Sequence, residues 1–159
     1  MASTTGDPGV VSARSETVEP PARPLASAPR ERRANIEYTV TGMRELSGPG
    51  FAFDEDRARA LAAALYDRCF CPGGAARQLL AVLASGNRRP ALAELTLPTL
   101  VIHGDADPLV SVEQGRDTAQ AVPGADLLII EGMGHSLPPQ AWPRIVAAIV
   151  THTREERVS

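Results

Sequence analysis

Pro98-Thr99-Leu100-Val101-Ile102-His103-Gly104 and, further along, Asp126-Leu127-Leu128-Ile129-Ile130 are two short apolar runs rich in strand-forming residues and bounded by turn formers. Apolar residues at consecutive positions, rather than alternate ones, suit strands covered on both faces, as in a parallel sheet. Between the runs, Ser111 followed by Gln114 makes a capping box, so a helix is expected from Val112 to about Ala121, where Pro123-Gly124 follows. Strand, helix and strand in this order form a βαβ unit with a right-handed crossover. Beyond the second strand, Trp142, Ile145, Val146, Ile149 and Val150 recur at i, i+3, i+4, i+7 and i+8. That stripe predicts an amphipathic helix packed on the sheet, with Trp142 as its anchor.

Toward the N-terminus the periodicity is helical. Asp54-Glu55 offers an acidic cap, and Ala58, Leu61, Ala62, Leu65 and Cys69 share one face. Cys71-Pro72-Gly73-Gly74 breaks that helix, and Ala76, Leu79, Leu80 and Leu83 mark a second one ending at Ser85-Gly86-Asn87, so the two are expected to form a hairpin. Ala91 to Leu97 suggests one further helical turn. Residues 1–34 hold five Pro, five Arg and four acids but no aromatic residue, so they lack the apolar content that offsets chain entropy and are expected to be disordered.

Composition removes several functions. The 159 residues carry a net charge of -3, with 43% hydrophobic and 22% charged residues, the profile of an ordinary globular chain. All basic residues are Arg, scattered among 19 acids, so no basic stripe suggests nucleic acid. No apolar run approaches the roughly 20 residues of a membrane span, and no apolar core of a secretory signal is present. Cys69 and Cys71, one residue apart, make a poor disulfide and an incomplete metal site, which points to a reducing compartment, the cytoplasm, with small packing roles for both.

The residues able to carry chemistry sit where the two strands end. Gly104-Asp105-Ala106-Asp107-Pro108 follows the first, and Glu131-Gly132-Met133-Gly134-His135 the second; in open α/β sheets that edge hosts the site. A carboxylate on one loop can fix the tautomer of an imidazole on the next and stabilise its charged form, with Gly132 and Gly134 freeing the loop that presents the His. Either acid could instead cap a turn, and His135 alone could sit in a solvated loop. Asp105 and Asp107 therefore both stand as the acid. His103 is expected to pack or bond within its turn, His152 suits the negative end of its helix, and no recognised ligand spacing joins these residues into a metal site, so no metal or cofactor is expected.

The run from Pro98 to Gly104, then Asp107-Pro108-Leu109-Val110, then Gly132-Met133-Gly134-His135, resembles the C-terminal part of the α/β-hydrolase family. The resemblance covers about residues 97–152 and implies that Asp107 is the catalytic acid and His135 the base; it also selects Asp107 over Asp105. Tyr66-Asp67-Arg68 and Ala76-Arg77-Gln78-Leu79 are similar to the lid of the esterase-like branch that includes aclacinomycin methylesterase. The implied fold is a partial α/β-hydrolase: a tail at 1–34, a helical lid at 35–96, a C-terminal βαβα core at 97–153 and a short tail at 154–159. A full member of the family needs Gly-x-Ser-x-Gly, with its Ser on a strained strand-to-helix turn, and backbone donors for an oxyanion. No Ser here has that setting: Leu83 precedes Ser85, Leu109 precedes Ser111, Glu45 precedes Ser47, and Pro138 follows Ser136, each two residues away. The expected function is hydrolysis of a small apolar ester by Asp107 and His135 with a Ser supplied elsewhere, the chain alone being inactive. The alternative is a non-catalytic binding module, or half of a split hydrolase whose partner is an N-terminal-half chain.

Overall fold

The computed structural model describes residues 5–7 and 28–155. Most of the tail expected to be disordered lies outside these residues, as do 156–159. Among these residues six α-helices and two strands follow in order: α1 Arg32–Glu45, α2 Glu55–Arg68, α3 Gly74–Ala84, α4 Arg89–Ala93, β1 Leu100–Gly104, α5 Val112–Ala121, β2 Asp126–Ile130 and α6 Trp142–Glu155, with a 3-10 turn Pro139–Ala141 leading into α6. None of the described helices is long and apolar enough to cross a membrane.

The two strands lie parallel in one sheet, Leu100 opposite Asp126 through Gly104 opposite Ile130, with α5 as the connection between them. Helix α5 begins where the capping box ends, the Gln114 side chain accepting from the Ser111 amide at 3.2 Å. Around the strand ends, Ile130, Met133, Ala141 and Ile145 form a core that Phe51, Ile102 and Leu128 complete from its margin. These are the helices and the small parallel sheet of a partial α/β-hydrolase fold.

Three expectations change. First, a helix begins at Arg32, before the boundary drawn at residue 35, capped by the Glu31 carboxylate, which accepts from the Arg33 and Ala34 amides at 2.8 and 2.7 Å. Residues 5–7 also sit in place: Thr5 is buried, its carbonyl accepts from the Arg88 amide at 2.7 Å, and its hydroxyl donates to Asp117, which Arg89 also grips. Second, α2 packs on α1, not on α3: Ala58 and Ala62 meet Ile36 and Val40, with Met43 and Phe53 beside them. The Pro72-Gly73 break sends α3 away, leaving Leu79, Leu80 and Val82 exposed, and both cysteines are exposed as well, Arg77 donating to the Cys71 sulfur at 2.9 Å. Third, the strands are half-buried rather than covered on both faces, because among the described residues the sheet has two strands, with α5 and one residue of α6, Ile145, to cover them.

Candidate active site

Both loops that leave the sheet at its carboxyl edge are laced to each other before any side chain of the site is considered. The Asp105 amide donates to the Ile130 carbonyl at 3.3 Å and the Ala106 amide to that of Met133 at 3.1 Å. The Asp105 carboxylate accepts from the Gly132 amide at 2.6 Å, so this acid pins the neighbouring loop. Gly132 adopts a φ of +69°, the left-handed region where a side chain would be strained. Gly134 is required for another reason: a Cβ there would strike the Leu46 carbonyl oxygen and the Ser47 backbone.

That close approach joins the helical layer to the site. The segment after α1 lies along the His135 loop, with the Gly134 amide donating to the Ser47 carbonyl at 3.0 Å, the His135 amide to the Leu46 carbonyl at 2.7 Å, and the Gly50 amide to the Gly132 carbonyl at 2.9 Å. Sequence reading did not find this clasp, although Ser47-Gly48-Pro49-Gly50 is a dense cluster of turn formers.

Asp107 and His135 meet. The His135 Nδ1 lies 2.8 Å from the Asp107 Oδ2, while the other carboxylate oxygen accepts from the Leu109 and Val110 amides at 2.7 and 2.9 Å. Asp107 is only 4% exposed. Burial pushes its carboxyl pKa up, but the hydrogen bond from His135, the amides of Val110 and Leu109 and the charge of a protonated His135 outweigh burial, so the pKa lies below the ordinary carboxylate value. An ionised carboxylate only accepts, which assigns the proton to Nδ1 and leaves the Nε2 lone pair as the basic position. The pair can orient an imidazole, hold its tautomer and stabilise it once protonated.

The remaining histidines stand apart from this pair. His103 bonds through Nδ1 with the Gly104 carbonyl at 2.7 Å and packs against α5 where the helix carries Gly115. His152 Nδ1 lies 3.1 Å from the Asp126 carboxylate, an exposed contact between α6 and the start of β2. Among the described residues no three His, Cys, Asp or Glu side chains are grouped to hold a metal.

A cavity of about 280 Å³ opens between the end of α1, the start of α2 and the loop 136–139 that follows His135. Its walls include Phe51, Phe53, Leu61, Leu137 and Pro138, together with Ser47 of the clasp and Ser136, the residue that follows His135. Arg57 stands in the same lining and lies over the Trp142 ring, 5.1 Å from its centre. The Trp142 indole N–H donates to the Leu137 carbonyl at 3.0 Å. The anchoring expected of Trp142 is thus to this loop, and 43% of the residue stays exposed.

A family model described as TAP-like protein matches residues 80–149. Rhodomycin D methylesterase of Streptomyces sp. (strain C5) is 35% identical over 125 residues, covering 77% of this chain and 41% of that protein, and its counterpart from Streptomyces peucetius is 34% identical over the same length and shares. The chain therefore spans about two fifths of the length of these relatives. Among solved structures, a thermophilic esterase from Thermogutta terrifontis superposes with a TM-score of 0.62 at 22% identity, covering 97% of this chain and 53% of the esterase, a likeness of fold.

Proposed function

This chain belongs to the α/β-hydrolase family, and from that premise we propose that it contributes the acid and the base of an ester hydrolase. The observation that carries the reading is the hydrogen bond between Asp107 and His135 at the carboxyl edge of a parallel pair of strands. Asp107 holds Nδ1, so Nε2 takes the proton of an attacking hydroxyl and later returns it to the leaving alcohol. Because no Ser of this sequence has the glycine setting of a nucleophile elbow, the nucleophile and the oxyanion donors come from residues outside these 159. The substrate is a small apolar ester; the methylesterase relatives favour a methyl ester, and the apolar cavity lined by the loop after His135 favours an apolar acid. The protein acts in the cytoplasm without a cofactor.

The open sheet supports one further statement, that the missing half of the enzyme reaches this chain as a covalent or separate partner rather than the chain acting as a binding module alone. Hydrolysis of p-nitrophenyl acetate tests both statements. The purified chain should run at the buffer rate. The chain joined to the N-terminal half of the Streptomyces peucetius methylesterase should turn the ester over and lose at least about a thousandfold of that rate on His135→Ala or Asp107→Asn. A folded chimera whose turnover survives His135→Ala would overturn the assignment of the base.

A further inference from the structure

The cavity beyond His135 gives the proposed reaction a substrate class. Resting on the ester-hydrolase reading above, we propose that it holds the acid part of a neutral aryl ester whose ring carries a hydrogen-bond acceptor directed to Arg57. Three observations lead there. At about 280 Å³ the cavity stands at the lower edge of ligand pockets, which run from about 300 to 1,000 Å³, so it takes a compact ring system. Phe51, Phe53 and Pro138 make its wall apolar and partly aromatic, the kind of wall an aromatic ring packs on. Arg57 is the arginine of this helical pair that lines the cavity: Arg32 holds Asp67, Arg44 holds Glu55 and Arg59 holds Glu37, whereas the Arg57 guanidinium lies over Trp142 and, among the described residues, in no ion pair with a carboxylate.

The sign of the ligand follows from Asp54. This carboxylate also lines the cavity, accepting from the Arg57 amide at 2.9 Å as the cap of α2. Its negative charge opposes a second carboxylate in the same space, so an ether, phenol or carbonyl oxygen suits Arg57 better than an anion does. Ser136, which follows His135 in the chain, lies in the cavity wall, and on this proposal the ester carbon extends past it toward His135.

Trp142 is the only tryptophan of the sequence, so the chain gives one indole N–H signal, and its bond to Leu137 ties that signal to the cavity wall. The test is titration of the full 159-residue chain with methyl 2-naphthoate, methyl 6-methoxy-2-naphthoate and 2-naphthoate, followed by the Trp142 indole resonance. Saturable shifts are expected for both esters, the methoxy ester binding about fivefold tighter, as one hydrogen bond to a charged donor at a partly wet site allows. Arg57→Ala should erase that fivefold difference, and the free acid should bind more weakly than either ester. Leu61→Phe, which fills the cavity from an exposed position, should weaken both esters about tenfold, and Leu137→Glu provides the same test should the first variant misfold. Leu80→Ser, an exposed apolar position of α3 outside the cavity, should change nothing.

Affinities untouched by both Leu61→Phe and Leu137→Glu, or reduced as much by Leu80→Ser, would overturn the proposal, and preference for the free acid would overturn the role given to Arg57. These readouts need no turnover. Binding that obeys the cavity variants, in a chimera whose hydrolysis ignores His135→Ala, would retain the pocket and discard the reaction; the reverse result would retain the reaction and discard the pocket.

Discussion

Asp107 is held ionised in a buried place by donors that belong to three different residues. Its folded pKa is depressed below that of an unfolded chain, about 3.9 for an aspartate. The stability it contributes is therefore present above that value and lost as pH falls through the folded pKa. Urea unfolding measured from about pH 5 down to 2 should show stability falling in the acid range, and Asp107→Asn, which cannot titrate, should flatten part of that fall; identical acid slopes for the two proteins would contradict the depressed pKa. Two acids at neighbouring positions looked equivalent as residues, and only the resemblance to the α/β-hydrolases chose between them. The structure gives them different partners for a reason of reach: Asp105, nearer the end of β1, meets the Gly132 amide near the start of the neighbouring loop, while Asp107 lies far enough along its own loop to meet the imidazole. Arg57 could not be singled out from its sequence at all, since its environment depends on Trp142, far away in the chain.

Helix α6 shows at the element scale what an apolar stripe does and does not specify. Ile145 is buried against Ile130 and Met133, but Val146 is 55% and Ile149 45% exposed, although all three belong to one stripe. The stripe expected to pack on the sheet does so through one residue because two strands give it no wider surface. Ile145→Ala should therefore cost about 2–5 kcal/mol, and Val146→Ala no more than about 0.5 kcal/mol, in urea unfolding followed by circular dichroism. Equal losses would place Val146 in a packed interface. The elements built on strong local signals, β1, α5 with its capping box and β2, were legible nearly to the residue. Helix α1 was not, because its sequence RRANIEYTVTGMRE mixes strand formers with charges, buries only Ile36 and Val40, and starts from a Glu cap rather than one of the usual short polar residues. Its stability comes from α2, across which the Arg32 guanidinium grips Asp67 with two bonds at 2.8 and 2.7 Å. Such exposed pairs fix register more than they add stability.

For the whole molecule the balance of covered and uncovered apolar surface decides behaviour. Leu79, Leu80 and Val82 on α3 and Trp142, Val146, Ile149 and Val150 on α6 all remain exposed, and a two-stranded parallel sheet offers an edge to other chains. The isolated chain should associate as its concentration rises, seen as a growing weight-average mass in sedimentation; a monomer at every concentration with one sharp thermal transition would contradict this. The backbone clasp between the residues after α1 and the His135 loop has a mechanical meaning at the same scale. It couples the end of α1 to the loop that carries the imidazole: a swing of α1 that widens the cavity must either break the hydrogen bonds donated by the Gly134 and His135 amides or pull the ring off Asp107. Opening of the cavity and loosening of the Asp107–His135 pair are thereby geared together.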